Sequence, residues 1–380
     1  MPTMGLHYAP NLITTRWQRL KASLFPILQV GVAAGFANLI AVHLFSHHQP
    51  FFAPMAAVIV LGLTGGDRLR RAVELNIGVS LGVGVGDLFV GHFGTGWWQM
   101  PLLVMASLAV AVFLDKGPLM ATQAALGSVL IATIMPPGTS GGSSRMLDAF
   151  VGGFIGVIVI ALMPTSPLKG GRMEISKVLA LTASTLAEVA AAIPEQDAER
   201  IQKALKKARG SQANINRMIA AAKEGEESVA VSPLLWRHKR RIKSLVRILN
   251  PVDNAMRNTR VLARRALTLV EDHDTVSKEQ LWIISGLADI AGQLAELYTK
   301  SGDLDEHVAI PELVRRLREL GARAGLEVAE GGVLTAQVIL AQSRSIIVDL
   351  LQVCGMSRYS AVAVLQPTSE HPAMPPEVRD

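Results

Sequence analysis

The sequence predicts an all-α protein in two parts, a membrane part of six transmembrane helices followed by a helical domain in water. Residues 1–171 contain 14 Asp, Glu, Lys and Arg, about 8% of that stretch, whereas residues 172–380 contain 54, about 26%. An ordinary soluble domain has about 25% charged residues, so only the second part has that composition. The contrast excludes a uniformly soluble enzyme, a disordered chain and a fibrous protein.

Six apolar segments predict the transmembrane helices. Their approximate bounds are 24–45, 51–64, 72–90, 97–114, 117–135 and 147–163. A bilayer core of about 30 Å needs roughly 20 helical residues. Segment 51–64 would cover only about 20 Å, because a helix rises about 1.5 Å per residue. It is therefore expected to be either a thin span or a broken helix.

Basic residues in the loops predict that both termini are cytoplasmic. If all six segments cross, nine Lys and Arg face the cytoplasm and Arg145 alone faces outward, as the positive-inside rule requires. The predicted divisions are a cytoplasmic tail (1–23), a transmembrane domain (24–165), a cytosolic helical domain (166–365) and a proline-rich disordered tail (366–380).

Spans 3 and 6 share a pattern at an offset of 74 residues. Span 3 begins with Arg71, Glu74, Gly78 and Gly82, and span 6 begins with Arg145, Asp148, Gly152 and Gly156. The two spans would run in opposite directions, which predicts an inverted three-plus-three repeat with a transport site at the repeat interface. Helix packing is the alternative role for the glycines spaced by four, which are Gly78, Gly82, Gly86, Gly152, Gly156, Gly31 and Gly35.

Arg71 and Arg145 each begin a membrane helix, where free N–H groups already favour an anion. A guanidinium adds a planar pair of donors suited to a carboxylate. We therefore predict one anion-binding arginine at each membrane face. The alternative is local anchoring, because Glu74 and Asp148 follow at a spacing that permits an ion pair within the helix.

Further polar residues in the spans extend the candidate site. Asn76, Ser80 and Asp87 share one helix face, and we predict that Asn76 and Ser80 help to bind substrate. Ionisable groups inside membranes are rare and usually functional, so Asp87, Glu74 and Asp148 are candidates for proton coupling. Imidazoles near the outer face, His43, His47, His48 and His92, suit proton transfer, unless they are only solvated at the interface.

The sequence contains no motif that would support catalysis, a metal site or a cofactor. There is no Walker A loop, HExxH motif, nucleophile elbow or dinucleotide fingerprint. The single Cys354 excludes an intrachain disulfide and a cysteine-cluster metal site, and it lies in an apolar helical run. We therefore expect no enzyme activity, no metal and no cofactor.

The second part is predicted to be helical throughout. Apolar residues at intervals of three and four predict helices over 174–193, 195–223, 233–249, 252–271, 277–300, 311–329 and 332–353. Predicted breaks are Pro194, Gly225, Pro251, the acidic run 271–274, Pro311 and Gly331–Gly332. Ser277 before Glu279 and Gln280 is typical of a helix start.

Residues 237–265 carry ten Lys and Arg against the single acid Asp253, and Arg257, Arg260 and Arg264 form a helical stripe. The stripe is open to three interpretations: a solvated helix face, contact with anionic membrane lipid, or collection of an anionic substrate. Nucleic acid is not expected as a partner, because interleaved aromatic residues are absent.

The run PFFAPMAAVIVLG, the basic loop GDRLRRA and the following Gly-x-x-x-Gly resemble the fusaric acid resistance family of inner-membrane proteins. That superfamily includes aromatic acid exporters and aluminium-activated malate channels. The resemblance covers the six spans and implies proton-coupled export of small organic anions, with aromatic carboxylates as one class. It also implies a homodimer, because many such exporters carry two of these units in one chain, whereas this chain carries one. A passive dimeric anion channel and a non-transporting scaffold with a partner-binding helical domain are the alternatives.

Overall fold

A computed structural model describes residues 9–47, 50–62, 68–134, 142–163, 167–300 and 303–372. The described residues form helices and no β-strand, which confirms the all-α prediction. The chain divides into two compact units. The first unit is Met1–Thr165 with Glu227–Arg237, and the second is Ser166–Glu226 with His238–Asp380.

Six helices form most of the first unit. They are α1 (Ala9–His43), α2 (Phe52–Leu61), α3 (Arg68–Phe93), α4 (Gln99–Leu114), α5 (Pro118–Ile134) and α6 (Gly142–Leu162). Helix α1 begins within the predicted tail 1–23. Helix α2 has ten residues, which amounts to about 15 Å of helix, half the thickness of a bilayer core.

The described residues after α6 form nine more α-helices. They are α7 (Pro167–Glu195), α8 (Ala198–Arg209), α9 (Gln212–Val231), α10 (Lys239–Arg247), α11 (Leu249–Glu271), α12 (Lys278–Thr299), α13 (Asp303–Arg323), α14 (Leu334–Val353) and α15 (Arg358–Ala363). Short 3₁₀ segments precede α10 and follow α13. The helices of the second unit pack around one apolar core to which α7, α11, α12 and α14 all contribute.

Several predicted boundaries in this part are wrong. The predicted helix 195–223 is two helices, α8 and α9, which are separated at Gly210–Ser211. Gly225 and Pro311 lie inside helices α9 and α13 instead of ending them. A glycine costs a helix only about 1 kcal/mol, and apolar residues beyond Pro311, such as Leu313 and Leu317, anchor α13 in the core.

The start of α12 agrees with its sequence signal. The Ser277 side chain accepts a hydrogen bond from the backbone N–H of Gln280, and the Gln280 side-chain oxygen accepts one from the backbone N–H of Ser277. In the predicted tail 366–380, Gln366 donates its backbone N–H to the carbonyl of Gly321. Residues 373–380 lie outside the described part of the chain.

Five described helices are long and apolar enough to cross a membrane. Three of these segments, Ser23–His43, Arg70–Phe93 and Ser144–Leu162, belong to the first unit, whereas Leu168–Glu195 and Leu334–Val353 belong to the second. Helices α2, α4 and α5 are shorter apolar helices. Length and composition therefore do not by themselves give the predicted count of six spans.

Side-chain exposure separates the two kinds of apolar helix. Of the 42 exposed large apolar side chains in the described residues, 33 lie between Trp17 and Leu162. In the described parts of α7 and α14, the exposed large apolar side chains are Met173 and Leu334 alone. Helix α14 also packs on α11, which carries four arginines. We therefore treat α7 and α14 as core helices of a charged bundle and the helices of the first unit as the membrane segments.

The contacts in the first unit repeat with a pseudo-two-fold pattern. The most extensive packing is between α3 and α5, and the next within this unit is between α6 and α2. Helix α1 packs on α2 as α4 packs on α5. Exchanging α1–α3 with α4–α6 therefore reproduces most of the contact pattern, although α2 packs on α3 and the described residues show no comparable packing of α5 on α6. The Asn76 side chain donates a hydrogen bond to the carbonyl of Phe150, which is 74 residues farther along the chain. Helices α3 and α6 therefore cross at two residues that the offset of 74 relates to each other.

Glycines bring the backbones of these helix pairs together. A Cβ atom added at Gly82 would overlap the backbone of Ala124 in α5, and one added at Gly152 would overlap the backbone of Ala53 in α2. Gly78 lies against the carbonyl of Met120. Gly31 and Gly35 differ, because no described atom lies within 4 Å of the position of an added Cβ.

We predict that Gly82→Ala destabilises the protein whereas Gly35→Ala does not. The added methyl group at Gly82 must separate α3 from α5, and overpacking of this kind costs about 1–3 kcal/mol. The same substitution at Gly35 meets open space. The measurement is the thermal unfolding temperature of each variant in one detergent, followed by tryptophan fluorescence. Equal unfolding temperatures would show that the glycine contact between α3 and α5 is unimportant for stability.

Candidate functional site

An ion pair joins α3 to α6 where α3 nears its end and α6 begins. The Nη1 atom of Arg145 lies 3.0 Å from Oδ1 of Asp87, and the two side chains are only 15% and 9% exposed. A buried guanidinium and a buried carboxylate stabilise each other, because removing either one leaves an uncompensated charge. The pair therefore links the first turn of α6 to α3.

A second pair lies on the same turn of α6. Nδ1 of His47, which follows α1, is 2.6 Å from Oδ1 of Asp148, and the Asp148 side chain is 7% exposed. Arg145 and Asp148 are three residues apart and so share a helix face. The two pairs connect the segment after α1, helix α3 and helix α6, and we call these four side chains, His47, Asp87, Arg145 and Asp148, the charge cluster.

These partners differ from the local pairs that the sequence permits. Arg145 pairs with Asp87 across helices, and Asp148 pairs with His47. Glu74 accepts from Nε of Arg70 at 2.7 Å, at a spacing of four residues, and Arg71 has no ion pair in the described part of the chain. The spacing of three residues predicts Arg71 as the partner of Glu74, whereas the structure pairs Glu74 with the adjacent Arg70.

Arg71 and Arg145 lie at opposite ends of α3. Arg145 reaches Asp87, which is 16 residues beyond Arg71 along that helix, or about 24 Å at the usual helical rise. Glu74 lies near the Arg71 end, and Asp148 lies at the other end with Arg145. The structure thus separates the predicted anion-binding arginines by most of a bilayer thickness.

Asn76 and Ser80 are buried within the helix packing. Nδ2 of Asn76 donates to the Phe150 carbonyl at 3.2 Å, and Ser80 Oγ donates to the Asn76 carbonyl at 2.7 Å. Oδ1 of Asn76 accepts no hydrogen bond from the described residues and lies against Gly153. The structure therefore places these two predicted substrate-binding residues at the crossing of α3 and α6. Asp87 lies farther along α3.

A pocket of about 630 Å³ opens beside the beginning of α3. It is lined by the charged residues Arg70, Glu74 and Asp115 and by the apolar residues Val73, Ile77, Leu114 and Met120. Asp115 Oδ2 accepts the backbone N–H of Gly117 at 2.8 Å. We call this space the α3 pocket. Its apolar walls and its few polar groups are typical of a small-molecule site.

The arginine stripe of α11 lies in the second unit. Arg257 donates to Asp253 at 2.7 Å and is largely exposed, and Arg264 is also exposed. Arg260 is half-buried. The opposite face of α11, including Met256 and Leu262, is fully buried in the core. The structure therefore presents the stripe on the outer face of a well-packed helix.

Six apolar helices with large apolar side chains on their outer surface define a multi-pass membrane protein. Residues 35–159 match the family described as "Fusaric acid resistance protein-like". An uncharacterized protein of Corynebacterium glutamicum is 54% identical over 368 residues, 97% of this chain and 95% of that protein. The chain belongs to the fusaric acid resistance-like family, as its sequence resemblance predicted.

Two mycobacterial relatives connect the family to transport. A protein named "Putative arylamide transporter" in Mycobacterium tuberculosis and in Mycobacterium bovis is 35% identical over 181 residues. This alignment spans 45% of the present chain and half of each mycobacterial protein. Together with the family, these relatives support assignment of the chain as a membrane transporter.

We predict that Asp87→Asn lowers the free energy of unfolding by about 3–5 kcal/mol, because it removes the carboxylate that pairs with a buried arginine. The double variant Asp87→Asn with Arg145→Gln removes both charges and should recover part of the loss. Thermal unfolding in detergent provides the measurement.

Glu74→Gln is the matched control for this series, because its partner Arg70 is 75% exposed and exposed pairs contribute at most about 1 kcal/mol. If the double variant were no more stable than Asp87→Asn, the pairing of Asp87 with Arg145 would not explain the effect.

Proposed function

We propose that this protein exports small aromatic anions from the cytoplasm and that protons entering through the charge cluster drive the export. The observation that carries this proposal is the buried ion pair of Asp87 with Arg145, together with the hydrogen bond of the buried Asp148 with His47, within an apolar helical unit. Ionisable side chains at such positions are costly and typically mark ion or substrate paths. No enzymatic activity is part of the proposal.

The proposed pathway runs between the two ends of α3. Substrate enters from the cytoplasm at the α3 pocket, where the apolar walls receive an aromatic ring and Arg70 receives its anionic group. Arg71 is next to Arg70 in the chain and adds a second positive charge near this end of α3. At the other end, the charge cluster holds α6 against α3. A proton that neutralises Asp87 or Asp148 weakens these contacts, and the outer end opens to release the substrate. His47, which is 25% exposed, provides a protonatable group at the entrance.

The proposed topology has six crossings, both termini in the cytoplasm and the second unit in the cytosol. Support comes from the loop charges and from the exposed Trp97 and Trp98 between α3 and α4, since tryptophans favour membrane interfaces. Short α2 would cross a locally thin region. In this arrangement the α11 stripe of Arg257, Arg260 and Arg264 can contact anionic lipid of the inner leaflet.

A homodimer is part of the proposal. One face of α1 presents Gly31, Gly35 and Asn38 to the exterior of the first unit. Small residues allow close approach of a second helix, and an asparagine in lipid is favoured when it can hydrogen-bond across such an interface. A second copy of α1 would satisfy both features.

The transport prediction concerns benzenesulfonate, an aromatic anion that stays charged at all working pH values and crosses lipid poorly. We expect proteoliposomes to release it faster when the outer solution is made acidic, and benzamide to compete if the α3 pocket accepts aryl amides. Asp87→Asn should abolish the acceleration by acid. Arg145→Gln combined with Asp87→Asn should remain defective, because the carboxylate that takes up the proton is still absent.

Three other outcomes of the transport measurement would contradict the proposal. Release that is independent of the pH gradient would identify a passive channel. No release above that of protein-free liposomes would favour a scaffold, which should then bind a cytosolic partner through the second unit. Full recovery of acid-accelerated release by the double variant would show that Asp87 does not take up the proton and serves only to neutralise Arg145.

The topology prediction is tested with reporter fusions. A fusion at Gly94, between α3 and α4, should report the outside of the inner membrane, and fusions at Gly66 and Lys169 should report the cytoplasm. Gly66 is decisive, because it lies between α2 and α3. If it reports the outside, α2 does not cross and the six-span arrangement is wrong.

A further inference from the structure

The second unit contains a groove of about 990 Å³ that none of the sequence-predicted site residues lines. Helix α14 forms its floor, α11 forms one wall, and the segment after α13 together with α15 forms the other. This volume lies at the upper end of the range of about 300–1,000 Å³ that is usual for small-molecule sites. We call it the α14 groove.

A buried carboxylate faces the α14 groove without a counter-charge. Asp349 on α14 is 6% exposed and lines the groove. Its Oδ2 accepts a hydrogen bond from Nδ2 of Asn258 at 2.8 Å, and no cationic side chain in the described residues forms an ion pair with it. Burial raises the pKa of Asp349 to about 7, and the Asn258 hydrogen bond opposes this rise.

One arginine of the groove, Arg344, donates to backbone carbonyls outside α14. Arg344 uses Nη1 to donate to the Ala324 carbonyl and Nη2 to donate to the Gln366 carbonyl at 2.8 Å. These bonds tie the end of α13 and the segment after α15 to α14, and so they hold the groove's rim. A molecule entering the groove therefore finds the acceptor oxygens of Asp349 and apolar contacts such as Leu326 and Val348.

We propose that the α14 groove binds a small organic cation that has N–H donors on a flat apolar body, such as an aryl amidine. The cation would supply the counter-charge that Asp349 lacks, and charge-assisted hydrogen bonds to a buried carboxylate are among the strongest available. Asn258 would hold the carboxylate in place. This site lies outside the membrane unit and is independent of the proposed export activity.

The test measures binding of benzamidine to the full-length protein in non-ionic detergent by titration calorimetry. We expect saturable binding that weakens about ten- to a hundredfold in Asp349→Asn, which is the usual effect of losing a charge-assisted hydrogen bond. Asp272→Asn is the matched control, because it removes an exposed acid outside the groove. Ala341→Trp should also block binding by filling the groove without changing Asp349.

The pH dependence of benzamidine binding follows from the raised pKa of Asp349. The carboxyl group is mostly protonated at pH 6 and mostly ionised at pH 8, so the affinity for a permanent cation should rise about tenfold between them. In Asp349→Asn the pH dependence should disappear, which isolates this group from the other charged side chains of the groove, Glu327, Glu330, Arg344 and Arg358.

Each contrary result overturns the proposal. If Asp349→Asn binds benzamidine as tightly as the natural protein, Asp349 is not the counter-ion. If benzoate binds more tightly than benzamidine, the groove selects anions. If benzamidine does not bind at all while the unfolding temperature is normal, Asp349 serves only to join α14 to α11 through Asn258. Asp349→Asn can keep that hydrogen bond through its amide oxygen, so loss of folding is not expected.

Discussion

Direct contact between helix backbones is the constraint on which the first unit depends. Lipid is as apolar as the side chains of these helices, so the hydrophobic effect does not hold them together. Gly82 against Ala124 and Gly152 against Ala53 allow two helix pairs to approach closely enough for dispersion forces and short polar contacts to act. The crossing of α3 and α6 at Asn76 and the charge cluster beyond it both require that approach.

The two units use apolar helices in opposite ways. In the first unit the large apolar side chains are exposed, because hydrocarbon is their solvent. In the second unit, α7 and α14 are about as hydropathic as some of those helices but turn nearly all of their large apolar residues inward, toward a core shared with α11 and α12. Mean hydropathy does not distinguish a helix that faces lipid from a helix buried in a soluble core, whereas the number of charged residues on the neighbouring helices does.

The sequence was sufficient to predict the all-α class and the positions of the six apolar helices, because these depend on local composition and on positions within one helix. It did not reveal the pairing of Arg145 with Asp87 or of Asp148 with His47. Those partners come from different helices, and a spacing rule within one helix cannot find them. It also overlooked Asp349, whose burial depends on how α11 packs on α14.

Much of the helix packing in the first unit agrees with the offset of 74 residues, but the positions of the charged residues do not. This difference gives the first unit two unlike ends. At the offset of 74 residues, Arg145 corresponds to Arg71, but Asp87 corresponds to Ala161. Arg145 is therefore neutralised across the helix interface, whereas Arg71 has no acid at the equivalent position. A symmetric scaffold with equal ends would bind a charged molecule equally from both sides. The Asp87–Arg145 ion pair therefore lies at one end of α3 and the α3 pocket at the other. In the proposed export pathway, this difference separates the point of entry from the point of exit.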